Sequence, residues 1–328
     1  MKYRLIGRTG LQVSPLCLGT MTFGNETDET VSAEIFQSCR DRGLNFIDTA
    51  DVYGQGRTEE IVGRLLADCR DEWIVCSKFQ GRTGPGPNDR GASRRHLTRA
   101  IDQTLRRLQT DRIEFYFLHN FDSFTPIEET LGALDDLVRQ GKILYPAISN
   151  AAAWQIMRGL GISREAALAR FECVQPMYNL VKRQAEVEIL PMAQSEEVGV
   201  ITYSPVAAGL LTGKYAAGTG SVTGRIAENK FYIARYDEES YRTTATRFVE
   251  FCRGRDWEPA TVAVAWVGSH PSVTAPIIGG RTREHIMTAL AALDFPMTPE
   301  LRAQISAFSP DPPFATDRRD EQLGMFLH

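Results

Sequence analysis

Asp48, Lys78 and His119 each stand at the end of a short run of β-branched and aromatic residues, and Tyr53 follows Asp48 in the loop beyond it. Further along, Ser149 with Asn150, then Gln175, then Tyr203 with Ser204 close three more such runs. Taken singly, the aspartate reads as a cap or turn former, the lysine as a solvated cation and the tyrosine as packing. Together they mean more. Apolar segments that carry a carboxylate, an ammonium, a phenol and an imidazole to one rim would incur a large cost if those groups were buried without partners. The chemistry that suits this set is proton delivery coupled to a second transfer. A tyrosine phenol ionises near 10 and is a poor acid or base at neutral pH. A neighbouring lysine ammonium favours the phenolate and is expected to lower that value. Asp48 would hold Lys78 charged and oriented, and His119 would bond the reacting oxygen or relay the proton. No nucleophile is paired with a histidine, and His96, His119, His270, His285 and His328 show no HxH or HxxxH spacing for a metal. Hydride transfer from an external cofactor therefore fits better than hydrolysis, and no metal is expected.

A second cluster suits an anion. The run 273–278 leads into Gly279-Gly280-Arg281-Thr282-Arg283-Glu284-His285 and a helical pattern reaching Leu293. Two glycines thus bring backbone N–H groups and a helix N-terminus to one place, the geometry of a phosphate site. The plainer reading is a glycine turn with Thr282 as N-cap, and both stay open at this point. The string Gly218-Thr219-Gly220-Ser221-Val222-Thr223-Gly224 imitates a dinucleotide fingerprint but follows Lys214-Tyr215-Ala216-Ala217 rather than a strand. It reads as a loop able to close over a ligand.

The elements that hold these groups repeat. Strands are expected at 14–19, 44–48, 72–78, 113–119, 143–149, 172–176, 199–204 and 273–278. Between them, segments such as 29–42, 93–108, 127–140 and 183–197 space apolar residues three and four apart, the helical period. Strand starts recur at about the size of one βαβ unit. Nearly continuous apolar strands alternating with helices imply a parallel sheet covered on both faces. Eight such units predict a single (β/α)8 TIM barrel over residues 1–328, with its chemistry at the C-terminal strand ends. A doubly wound open sheet should carry GxGxxG after its first strand. Here that strand runs into Gly19-Thr20-Met21-Thr22-Phe23-Gly24. Residues 2–6 and 12–13, about the turn Gly7-Arg8-Thr9-Gly10, are expected to form an N-terminal β-hairpin closing the barrel bottom. The period breaks between 204 and 273, where a long loop at 213–231 precedes a helix at 238–254, and the tail from about 309 reads as irregular.

Composition excludes other classes. Lys and Arg total 37 against 41 Asp and Glu, a net charge of -4, which leaves no basic footprint for nucleic acid or anionic lipid. The most apolar stretch, 260–268, is far short of the ~18 residues a spanning helix needs. The six cysteines are scattered singly without CxxC, and the start lacks an apolar leader. Free thiols, a cytoplasmic location and no membrane or nucleic-acid partner are expected.

The chain resembles an aldo-keto reductase. Asn45-Phe46-Ile47-Asp48-Thr49-Ala50-Asp51-Val52-Tyr53-Gly54 is similar to the Asp/Tyr signature of that family, and Lys78 and His119 fall where its other two tetrad members are expected. Leu18-Gly19-Thr20-Met21 matches its first strand. The likeness continues through Ile148-Ser149-Asn150, Gln175-Pro176-Met177-Tyr178-Asn179, Tyr203-Ser204-Pro205 and Gly209-Leu210-Leu211-Thr212-Gly213-Lys214, covering about residues 3–309. It implies the same barrel and a reversible, NADPH-dependent reduction of a small aldehyde or ketone to an alcohol. By that resemblance Tyr53 donates the proton, Lys78 and Asp48 tune it, and His119 orients the carbonyl. Asn150 and Gln175 hold the nicotinamide carboxamide with Ser149 nearby, and Tyr203 stacks on the ring. Gly19, Thr20, Met21 and Asp48 also face the cofactor. Ser204, Pro205 and Lys214 follow its pyrophosphate, Arg225 belongs to the closing loop, and Gly279, Gly280, Arg281, Thr282 and His285 surround the adenosine 2'-phosphate.

Departures from the family pattern matter. Many members have a Lys-Ser pair where this chain has Gly279-Gly280, and a Gln or Arg followed four residues later by Asn where it has His285 and Ala289. Preference for NADPH over NADH then rests mainly on Arg281, with Arg283 or Lys214. Met21, which replaces an aromatic residue of some members, is expected with Phe23, Val52, Phe79, Asn120 and Phe121 to form a mainly apolar pocket. The alternative that the resemblance implies is a cofactor-binding interaction subunit of the potassium-channel β-subunit type. The sequence offers no long basic arm or heptad pattern to mark a partner surface for it.

Overall fold

Strands β1 (Arg4–Leu5) and β2 (Gln12–Val13) pair antiparallel at the N-terminus, as the hairpin pattern predicts. The computed structural model describes residues 1–215, 224–314 and 316. Gly7, at φ 55, lies so close to the barrel that a Cβ there would meet the Gly199 amide nitrogen at 2.6 Å. Glycine is what lets the hairpin sit against the barrel bottom. Ile6 and Val13 are fully buried there, within the cluster that fills the barrel interior.

All eight expected barrel strands are present: β3 (Cys17–Gly19), β4 (Phe46–Asp48), β5 (Ile74–Phe79), β6 (Ile113–Leu118), β7 (Ile143–Ser149), β8 (Cys173–Gln175), β9 (Gly199–Thr202) and β10 (Ala275–Ile278). Every neighbouring pair is parallel, and β10 pairs with both β9 and β3 to close the barrel. Side chains alternate across each strand. On β6, Phe115 and Phe117 point into the barrel cluster while Tyr116 joins the layer between strands and helices.

The helices of the first five units are α1 (Glu29–Asp41), α2 (Arg57–Leu66), α3 (Arg94–Leu108), α4 (Ile127–Arg139) and α5 (Ala153–Glu165). Asp28 caps α1 by accepting from the Val31 amide, and Ser93 caps α3 by accepting from the His96 amide. One expectation is corrected at 183–197. A 3-10 turn at Gln184–Glu186 comes first, and α6 (Ile189–Ser195) starts late, because Pro191 is tolerated only in a first helical turn.

A second correction concerns the long loop expected at 213–231. From residue 225 onward this segment is helical, with α7 (Arg225–Glu228) and α8 (Lys230–Tyr236) ahead of α9 (Glu239–Arg253). Asn229 caps α8 by accepting from the Phe231 amide at 3.0 Å. The glycine-rich string lies outside the described residues except for Gly224, as does the side chain of Arg225. The apolar stretch 260–268 belongs to α10 (Pro259–Gly268), buried on nearly every face in contact with α9 and with α11 (Arg283–Leu290). Helix α12 (Pro299–Ser306) follows, and residues 310–314 are irregular. Among the described residues no helix is long and apolar enough to cross a membrane. All six cysteines are free and buried.

Candidate active site

The parallel register brings the polar strand ends to one mouth. Gly19 of β3 lies beside Asp48 of β4, Lys78 of β5 beside Phe117 of β6, and Ser149 of β7 beside Gln175 of β8. His119 follows β6 directly, and Tyr53 opens a 3-10 turn at Tyr53–Gly56 in the loop after β4.

Lys78 is fully buried and directs its three N–H donors to three acceptors. Its Nζ donates to Asp48 Oδ2 at 2.6 Å, to the Thr49 carbonyl at 2.7 Å and to the Tyr53 hydroxyl at 3.3 Å. Gln175 Nε2 donates to the other Asp48 oxygen at 2.8 Å. The aspartate is thus held from both sides, and the ammonium touches the phenol. The Tyr53 and His119 rings meet edge-on, with centroids 6.0 Å apart.

Burial works to lower the Lys78 pKa, but Asp48 and Tyr53 overcome it and hold the group charged above its ordinary value. For Tyr53 the balance differs from the sequence expectation. Burial raises the phenol above its usual 10, and the opposing pull of Lys78 does not cancel it, so the hydroxyl keeps its proton at neutral pH. Burial, then repulsion from Lys78, pushes His119 down to about 3. A neutral imidazole can accept or donate a hydrogen bond but is no proton source near pH 7, which favours the orienting role over the relay.

Behind the barrel wall, Asp51 is buried, and among the described residues neither of its carboxylate oxygens has a hydrogen-bond partner. Burial, then the nearby Glu59, pushes its pKa up to about 8. Glu59 itself is buried, accepts from Ser77 at 2.5 Å and pairs with Arg107 at 2.6 Å.

The residues expected around the nicotinamide form one network. Asn150 Nδ2 donates to the His119 carbonyl at 3.0 Å and to Ser149 Oγ at 3.1 Å, while its Oδ1 accepts from the Tyr203 hydroxyl at 2.7 Å. Ser149 in turn donates to the Gln175 carbonyl at 2.9 Å. Asn150 at φ 51 and Ser204 at φ 64 hold left-handed backbone, a cost that functional sites often carry.

At the other end, Thr282 caps α11 by accepting from the His285 amide at 3.4 Å, so the plainer sequence reading of that turn is correct as far as it goes. A Cβ on Gly280 would meet that of His285 at 2.5 Å, which is why glycine stands there. Arg281 forms an ion pair with Glu26. Burial, then the charges of Lys214 and Arg281 among its neighbours, holds His285 below its ordinary pKa. Three basic side chains therefore gather at the start of α11.

A cleft of about 400 Å³ joins these parts. Of the expected site residues, Gly19, Thr20, Met21, Asp48, Tyr53, His119, Asn150, Gln175, Tyr203, Ser204, Pro205 and Gly279 line it. Lys78 and Ser149 are buried behind those walls, and Lys214, Gly280, Arg281, Thr282 and His285 are outside its lining. The expected apolar wall needs correction. Asn120 and Met21 line the cleft, but Phe23 and Phe79 are fully buried core residues, with Phe79 stacked on Tyr116. Strand alternation explains Phe79, since the residue after the inward-facing Lys78 must face the helices. Val52 lies against Gly81 and Phe121 packs on Trp154, both outside the lining. Sequence reasoning missed Tyr232 and Arg235, which α8 brings to the cleft. The one local signal for them was Asn229 as a helix cap. No cluster of three metal-ligating side chains occurs among the described residues.

Comparison with known proteins bears on the chain as a whole. Residues 15–310 match the model of the aldo/keto reductase family. The chain is 36% identical to the uncharacterized oxidoreductase YrpG of Bacillus subtilis, over 95% of its own length and 97% of that protein. It is 35% identical to a probable voltage-gated potassium channel subunit beta of Oryza sativa, over 97% and 99%. Against the versiconal hemiacetal acetate reductase of Aspergillus parasiticus the identity is 31%, over 92% and 94%. Because the family match runs through every strand of the barrel and the relatives align over nearly their full lengths, the chain belongs to the aldo/keto reductase family.

Proposed function

We propose that the protein is an NADPH-dependent oxidoreductase that reduces an aldehyde or ketone to an alcohol. The observation that carries this reading is the buried Lys78, bonded at once to Asp48 and to the Tyr53 hydroxyl. When bound, NADPH supplies the hydride that the carbonyl carbon receives. Tyr53 gives its proton to the carbonyl oxygen. Lys78 stabilises the phenolate left behind, and Asp48 keeps Lys78 in place. His119, uncharged, holds the carbonyl oxygen by a hydrogen bond.

The residues present fit the cofactor. Lys214 and Arg281 offer positive charge, and the neutral His285 a ring hydrogen bond, beside a capped helix start, which suits a 2'-phosphate. A Cβ on Gly209 would meet Lys214 Cε at 2.6 Å, so a glycine there makes room for that lysine. Asn150, Gln175 and Tyr203 are the amide and aromatic groups that a nicotinamide carboxamide and ring require. The small-molecule carbonyl is the partner that this reading needs.

The test is a fluorescence titration with NADPH and NADH, followed by aldehydes, ketones and quinones while NADPH absorbance is recorded. NADPH binding with turnover of any carbonyl supports the reading, and absence of nucleotide binding refutes it. A second reading, a cofactor-binding interaction subunit, is favoured by the potassium-channel-subunit name of the rice relative. Nucleotide binding without turnover across the panel would shift weight to it.

A further inference from the structure

Helix α8 places a cation in the cleft that the carbonyl chemistry leaves unused. Arg235 lines the same space as Tyr53, His119 and Tyr203, and it is half-buried. Its guanidinium carbon lies 5.5 Å from the centroid of the Tyr232 ring, another lining residue. Its charge reaches the catalytic end, where it acts on the neighbouring Tyr203 hydroxyl.

Among the described residues Arg235 has no hydrogen-bond or ion-pair partner. Acids close in sequence are engaged elsewhere. Asp237 pairs with Arg242 at 2.5 Å, with Glu239 on the same arginine at 3.9 Å. Glu238 lies close enough to act on Lys182 and on Tyr241. The one acid lining the cleft among the described residues, Asp48, is taken by Lys78 and Gln175. A guanidinium carries five donors in a planar fork matched to carboxylate and phosphate oxygens. Set in a partly desolvated cleft, its charge attracts an anion more strongly than it would in open water.

We propose that Arg235 binds an anionic group on the substrate, so that the cleft takes carbonyl compounds bearing a carboxylate or phosphate away from the reacting carbon. The inference rests on the reductase reading and narrows its substrate class. The competing occupant is a phosphate of the dinucleotide, but Lys214 and Arg281 already supply cations for that beside α11.

The experiment compares two aldehydes of similar shape, 4-carboxybenzaldehyde and 4-methylbenzaldehyde, on the full-length protein and on Arg235→Gln, Arg235→Lys and Arg235→Glu. The ratio of their kcat/KM values is expected to favour the carboxylate, to fall by about 10- to 100-fold in Arg235→Gln as a charge-assisted bond is lost, and to recover in Arg235→Lys. In Arg235→Glu it should invert, with 4-(trimethylammonio)benzaldehyde becoming the better substrate. Adding 4-formylphenyl phosphate to the set tells phosphate from carboxylate by which ratio is larger. An unchanged ratio in Arg235→Gln overturns the proposal. So does a tenfold loss of NADPH affinity in that variant, which would assign the residue to the cofactor. Dissociation constants of 4-carboxybenzyl and 4-methylbenzyl alcohol on NADP-saturated protein need no turnover. If the carboxylate preference and its dependence on Arg235 are found there while no aldehyde reacts, the anion site stands and the reductase reading fails. Turnover without that preference keeps the reductase reading and removes the anion site.

Discussion

Lys78 Nζ lies 3.3 Å from the Tyr53 hydroxyl, yet the phenol ionises above its ordinary pKa, because burial outweighs the cation. The pair keeps the proton on oxygen until a reacting oxygen needs it. Tyr53→Phe is therefore expected to lower carbonyl-dependent NADPH oxidation by about 10²–10⁴-fold, the usual worth of a general acid. In the wild type the reduction rate should hold up to about pH 10 and fall only above it, as the phenol is lost. A fall centred near pH 7 would point to another proton donor.

Buried charge makes the Asp48–Lys78 pair a structural hazard when broken. Lys78→Met leaves Asp48 without its cation and is expected to cost about 3–5 kcal/mol, read from urea unfolding. Adding Asp48→Asn should recover part of that loss. Because the folded Lys78 pKa is raised, its contribution is complete below the unfolded value of about 10.4 and disappears only as the pH climbs further. Losses that simply add in the double variant would show that the two side chains are not coupled.

Asp51 and two partly buried histidines impose opposite pH trends on stability. Asp51, pushed up to about 8 by burial and Glu59, keeps its proton in the folded protein while the unfolded chain loses it above about 4. Its contribution thus declines as pH rises from about 4 to about 8, by at most about 1.4 kcal/mol per pH unit. His119, at about 3, and His270, at about 4, stay neutral when folded. The unfolded chain gains those protons below about 6.5, so stability falls as pH drops through that range. Asp51→Asn should therefore gain on the wild type between pH 5 and pH 8 in urea unfolding. A constant difference across that interval would contradict the assignment.

Arg281 is not idle at α11, since Glu26 already holds it. If it discriminates between the dinucleotides, Arg281→Ala should weaken NADPH about tenfold while leaving NADH little changed. Glu26→Gln should do the reverse and tighten NADPH, more at low salt than at high. Fluorescence titrations with both nucleotides check this, and an equal response of the two would remove the 2'-phosphate from this site.

Much of this is legible in the sequence for definite reasons. Phe115, Phe117 and their neighbours on β6 are buried on both faces of the sheet, so the strand reads as an unbroken apolar run and its end marks His119. The same pattern locates Asp48, Lys78 and Gln175. What it does not supply is the direction of each neighbour. Phe79 reads as pocket wall beside Lys78, but adjacent residues on a strand face opposite sides. Nor does it foretell α8, seven residues long, too short for a helical period to stand out from a glycine-rich surrounding. Tyr232 and Arg235 reach the cleft by that route. The sign of the Tyr53 shift is beyond it as well, because burial depends on neighbours distant in the chain.

The six scattered thiols have a use in the laboratory. Cys17, Cys76 and Cys173 lie inside the barrel, while Cys39, Cys69 and Cys252 lie between it and the helices. Burial raises the pKa of every one of them, so each is shielded from alkylating reagents and poorly ionised while the fold is intact. Labelling of a given cysteine therefore times the opening of the layer around it. The outer three would report the peeling of helices and the inner three the parting of strands, so that the protein carries a two-dial clock of its own unfolding.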